Sequence, residues 1–216
     1  MKFKKNEPVS ASIHIVGLLF SIAGFVVLMI FTKEYGTIFH LIGFIFFGIS
    51  LILLYTISVL YHFFPKVSRF KKRLRRMDHI MIYIFMASTY TPICLTIDNR
   101  LCGWGLLAIS WSFAVTGIII KMVDLKIKEW ISVVMYVLFG LLILSVIGPV
   151  LQWLPKDGVA LLYGGGSFYL IGVIFYILED YGPKKINVDF HAIWHLFVIA
   201  GSFSHACLML KYVLYI

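Results

Sequence analysis

Residues 38–62 read IFHLIGFIFFGISLILLYTISVLYH, without a single Asp, Glu, Lys or Arg. A helix of about 20 residues crosses the ~30 Å hydrocarbon core of a bilayer, so this stretch is long enough to span one. Pro65 follows and stops it. Working outward, six more apolar runs read the same way. They cover residues 13–31, 78–96, a run after the polar turn 98–105 that ends near 121, 131–151, 159–178 and 190–215. Thr91-Pro92 inside the third predicts a kink. PKDG at 155–158 predicts a tight turn, and Gly164, Gly165 and Gly166 predict close helix contact or a local break.

The composition agrees. Of 216 residues, 61% are hydrophobic and only 13% are charged, and the mean hydropathy is +0.96. A soluble domain of this size carries more charge, so the class is all-α integral membrane. Period-two alternation is missing, which argues against a membrane barrel. The first apolar run outlasts the short core of a signal peptide, which predicts a retained span. Cys94, Cys102 and Cys207 are odd in number and lack metal-type spacing, so no disulfide framework is expected. The expectation is one seven-helix membrane domain over 1–216, with neither linker nor repeat.

Seven spans place the termini on opposite sides. The N-terminus and the loops at 66–77, 123–130 and 179–189 fall on one side. With Lys121 they hold fifteen of the 19 Lys and Arg; Lys33, Arg100, Lys156 and Lys211 make up the other side. Basic loops stay cytoplasmic, so the N-terminus is expected inside and the C-terminus outside. The net charge of +9 is thus an orientation signal and a contact for anionic lipid heads rather than for nucleic acid.

The same topology gathers polar residues. His62 ends the second span, Asp78 opens the third, and His191 and His195 open the seventh, all on the inner side. His191 and His195 are four apart, as are Ser58 and His62, so each pair shares a helix face. Ionisable groups inside a bundle are costly and mark sites. Three histidines and a water make a tetrahedral zinc site with one open position. Asp78 then orients a ligand or bonds the water, and Ser58 stabilises a developing oxyanion or holds the metal-bound water. Structural readings stand beside these. The histidines can pack between helices, Asp78 can cap the third helix and pair with Arg75 or Arg76, and Ser58 can bond its own helix. His14, His40 and His79 read as structural, except that His14 with Glu7 can line the inner mouth. His205, ten residues past His195 and roughly 15 Å further along a helix, is out of reach of a shared ion.

The segments SVLYH (58–62), DHIMIY (78–83) with TYTP (89–92), and HAIWH (191–195) resemble the hemolysin III family. That family is the bacterial branch of the progestin and adiponectin receptor proteins, within a wider group of membrane metal hydrolases that includes alkaline ceramidases. The resemblance runs from Glu7 to about Tyr212. It implies a seven-helix bundle with Zn2+ on His62, His191 and His195, and Asp78 and Ser58 as catalytic or supporting groups. The chain lacks the large soluble N-terminal region of adiponectin receptors, so no protein ligand is inferred; the expected partners are membrane lipids. The expected activity is zinc-dependent hydrolysis of a lipid amide or ester near the cytoplasmic leaflet of the bacterial plasma membrane. The alternatives are a membrane sensor with structural zinc, a cytolytic pore former and a haem-binding cytochrome.

Overall fold

The computed structural model describes residues 8–64, 69–123, 129–181 and 189–216. They form helices α1 (Pro8–Tyr35), α2 (Ile38–Phe63), α3 (Arg69–Thr96), α4 (Arg100–Met122), α5 (Glu129–Gly140), α6 (Ile147–Trp153), α7 (Lys156–Tyr181) and α8 (Phe190–Lys211). A 3-10 segment, Leu141–Val146, joins α5 to α6, and another, Val213–Tyr215, follows α8. Among the described residues there is no strand. Counting α5 through α6 as one, seven helical stretches are long and apolar enough to cross a membrane. Large apolar side chains, among them Leu19, Phe20, Ile109, Leu138 and Ile174, stand exposed on the outside. A surface of this kind suits hydrocarbon and not water.

α3 lies between α2 and α4, α1 packs on both α2 and α8, and α7 packs on α8. α3 is the central helix. In its most apolar stretch 67% of residues are buried, against 17% in the α5–α6 stretch and in α7. One core joins Phe44, Leu51 and Tyr55 of α2 to Phe85 and Ile93 of α3 and Leu208 and Met209 of α8. A second joins Tyr83 and Tyr90 of α3 to Leu106 and Ala114 of α4 and Phe139 of α5. Two glycines make the close approaches possible. A Cβ on Gly43 would sit 2.7 Å from the Cα of Pro92, and one on Gly17 2.9 Å from the Tyr55 ring. Helices without side chains at such points bring their backbones together.

Four expectations from sequence are corrected. The basic stretch before Asp78 is helical from Arg69 onward, not a loop; Lys, Arg, Leu and Met are good helix formers, and Gly and Pro are absent until Pro92. Asp78 is therefore nine residues into α3 and does not cap it. Lys71 fastens this extension, its Nζ donating to the Phe64 carbonyl at 3.0 Å and lying 4.8 Å from the Tyr61 ring centroid. The polar turn before α4 is shorter than expected, because Asn99 caps the helix by accepting from the Cys102 N–H at 3.2 Å. The turn before α7 ends at Pro155, and Lys156, Asp157 and Gly158 are already helical; Asp157 there suits the positive end of the helix dipole. Of the two readings of the glycine run, close helix contact holds: α7 is unbroken, and Gly165 lies against the His205 ring and the Gly201 carbonyl of α8.

The fifth span contains a feature that hydropathy does not reveal. Pro149 lacks an N–H, so the carbonyl four residues earlier loses its helical partner. The backbone tightens to 3-10 over Leu141–Val146. The Tyr90 hydroxyl sits at this junction, 2.8 Å from both the Phe139 and the Gly140 carbonyl oxygens, where it donates. α3 itself runs through Pro92 without interruption.

Candidate metal centre

Local capping sets the first pieces of the site. Asp189 accepts the Ala192 N–H at 3.1 Å and so starts α8 just ahead of His191 and His195. His62 is one residue from the end of α2, where Lys71 holds the neighbouring Phe64 carbonyl. α1 enters at Pro8, and His14 lies six residues in, about 9 Å along the axis. Gly17, one turn further, lets α1 close on Tyr55 of α2. Tyr55 donates to the Ser202 Oγ of α8 at 3.0 Å, and the Tyr169 hydroxyl of α7 lies 3.1 Å from the same oxygen. This hydroxyl cluster ties α2, α7 and α8 together beside the histidines.

Four imidazoles meet there. Ring centroids are 4.8 Å apart for His62 and His195, 4.5 Å for His191 and His195, and 5.4 Å for His62 and His191. His14 joins them at 4.1 Å from His195 and 5.3 Å from His62, its ring nearly parallel to that of His62. His14, His62 and His195 are buried, and one nitrogen from each lies within 4.8 Å of the others. His191 is only partly buried. A tetrahedral ion with Zn–N bonds of ~2.0–2.1 Å sets its ligand nitrogens roughly 3.4 Å apart, so a modest inward movement closes the set.

A direct test of fit comes from hydrogen bonding. Both nitrogens of His14 and the Nε2 of His195 are buried and have no hydrogen-bond partner among the described residues. An unpaired buried donor or acceptor costs about 1–3 kcal/mol. Converging rings with such atoms are what a site that receives a metal ion leaves behind when no ion is bound. With buried His62 beside them, His14 and His195 could therefore hold a metal ion.

Ser58 and Asp78 lie alongside. The Ser58 hydroxyl donates to the Asp78 carboxylate, not to its own helix, joining α2 to α3. Asp78 is within electrostatic reach of His62 and Arg75. His205 bonds the Gly201 carbonyl of its own helix through Nδ1 at 2.9 Å and stacks on Tyr169. Cys94, Cys102 and Cys207 are free thiols. Glu7, expected beside His14, lies outside the described residues.

Residues 3–206 match the model of the haemolysin-III-related family. The chain belongs to that family. It is 37% identical to Hemolysin-3 of Bacillus cereus over 99% of this chain and 94% of that one. It is 38% identical to the Hemolysin-3 homolog of Bacillus subtilis strain 168 over 92% and 90%. A human relative, monocyte to macrophage differentiation factor, is 27% identical over 77% of this chain and 68% of its own. With seven spans, this haemolysin-III chain is a multi-pass membrane protein. Sequence reasoning brought His62, Asp78, His191 and His195 to one depth but left His14 at the mouth. The signal was present: α1 starts at the same end of the bundle, and His14 is as deep from its start as His195 is from that of α8, to within about one residue's rise.

Proposed function

We propose that this protein is a zinc-dependent hydrolase of membrane lipid amides or esters, working at the cytoplasmic side of the bacterial plasma membrane. The observation that carries the reading is the juxtaposition of unpartnered, buried imidazole nitrogens with a carboxylate–hydroxyl pair inside an apolar bundle. His62, His191 and His195 would hold the ion, with His14 adjoining. Zinc supplies Lewis acidity, polarising a carbonyl and acidifying water. Asp78 takes the proton from the attacking water as the new C–O bond forms. It returns that proton to the departing amine or alkoxide as the C–N or C–O bond breaks, so the carboxylate is regenerated. Ser58, by donating to Asp78, would fix which carboxylate oxygen faces the reaction.

Asp78→Asn keeps the shape and the bond from Ser58 but cannot take a proton. The variant should retain its zinc and thermal stability and lose at least about a hundredfold in fatty-acid release from ceramides or bacterial acyl lipids. Equal release at equal zinc content would remove Asp78 from the chemistry. No release by the native protein above a metal-stripped control would leave the zinc as a structural tie, as in the sensor reading. The orientation is checked separately. A reporter fused after Ile216 should score as exterior and one inserted at 124–128 as cytoplasmic; the reverse would put the site at the other leaflet.

A further inference from the structure

His14 is the imidazole with the least explanation as packing. It is buried, neither nitrogen has a partner, and its ring is nearer to that of His195 than any other ring pair in the cluster. A phenylalanine or leucine would fill the same space without leaving a donor and an acceptor unpaired. The other buried histidines of known bonding differ in this respect. His40 uses Nε2 on the Val213 carbonyl at 2.9 Å, and His205 uses Nδ1 on that of Gly201. The trio of nitrogens lying within 4.8 Å of one another includes His14 and comes from α1, α2 and α8.

We propose that His14 is itself a metal ligand, so that the ion ties α1 to α2 and α8 and does not rest on α2 and α8 alone. His191, the most exposed of the four rings, is then the outermost donor and the one that gives way to water in the proposed hydrolysis. This rests on the metal reading above and extends it to a residue on a third helix.

Cobalt(II) is a suitable probe, since its visible bands respond to the ligand set. The purified full-length chain is titrated with Co2+, alongside His14→Ala and His205→Ala as a buried-histidine control. His14→Ala should weaken cobalt binding by about tenfold or more and shift the visible bands, while His205→Ala keeps both. Wild-type affinity and bands in His14→Ala would overturn the proposal. Should His14→Ala fail to fold, X-ray absorption of cobalt-loaded His191→Ala decides. Scattering from three imidazoles supports His14 as a ligand, and scattering from two overturns it. A wild-type chain that binds no cobalt and no zinc defeats the metal reading as a whole. Metal-loaded wild type matched by His14→Ala defeats only the role of His14.

Discussion

The two ends of α2 each carry a buried histidine, and the two are built differently. His40 is in the first turn. Thr37 donates to its Nδ1 from the backbone N–H at 3.1 Å and lies 2.8 Å away through its hydroxyl, and Nε2–H donates to Val213. His62, about 33 Å away at the other end, lies among three further imidazoles, two of which carry unpartnered nitrogens. At the first end the imidazole is a linker whose bonding is complete without any added group. At the second, the rings face one another and one nitrogen each of His14, His62 and His195 lies within 4.8 Å of the others. Burial alone therefore does not mark a site; at the second end His14 and His195 add buried nitrogens whose hydrogen-bonding capacity is unused among the described residues, on rings that face one another.

That contrast can be broken or sharpened by substitution. The largest effect is expected at the cluster. His195→Ala should strip the metal, with a loss beyond the ~10–100-fold that removal of a supporting group costs. Retention of full metal content would put the ion elsewhere. A smaller effect, on stability and not on metal, is expected at the other end. His40→Ala leaves the Val213 carbonyl and the Thr37 N–H without their partner and should cost about 1–3 kcal/mol in unfolding measurements. Metal loss in that variant would mean that the two ends are coupled. Smallest is Thr37→Ala, where loss of the cap on α2 should cost about 1 kcal/mol. No measurable change there would show that the His40–Val213 bond holds the helix start unaided.

Much of this was legible in the sequence because membrane helices obey a simple length rule. The spans 38–62 and 190–215 end within a few residues of where apolarity ends. The convergence of Ser58, His62, Asp78, His191 and His195 followed from the alternation of spans, each residue lying near a helix end. What escaped had physical reasons. The residues from Arg69 to Met77 read as a loop because charge suggests water, although their helix propensity is high and Lys71 can bury its stem while its amine reaches Phe64. The 3-10 segment of the fifth span was hidden because apolarity reports burial in lipid, not backbone pitch. His14 escaped because it has no companion four residues away on its own helix. Its companions arrive through packing of α1 on α2 and α8, where Gly17 admits Tyr55.

On the proposed reading, the unused nitrogens of His14 and His195 exist to hold a metal. Elemental analysis of the full-length chain, purified in detergent without chelator, tests it most directly. The account predicts about one zinc per chain, removed by dialysis against a strong chelator and recovered on adding zinc alone. A purified, folded chain that contains no zinc or other transition metal, and takes none up when zinc is supplied, would contradict it.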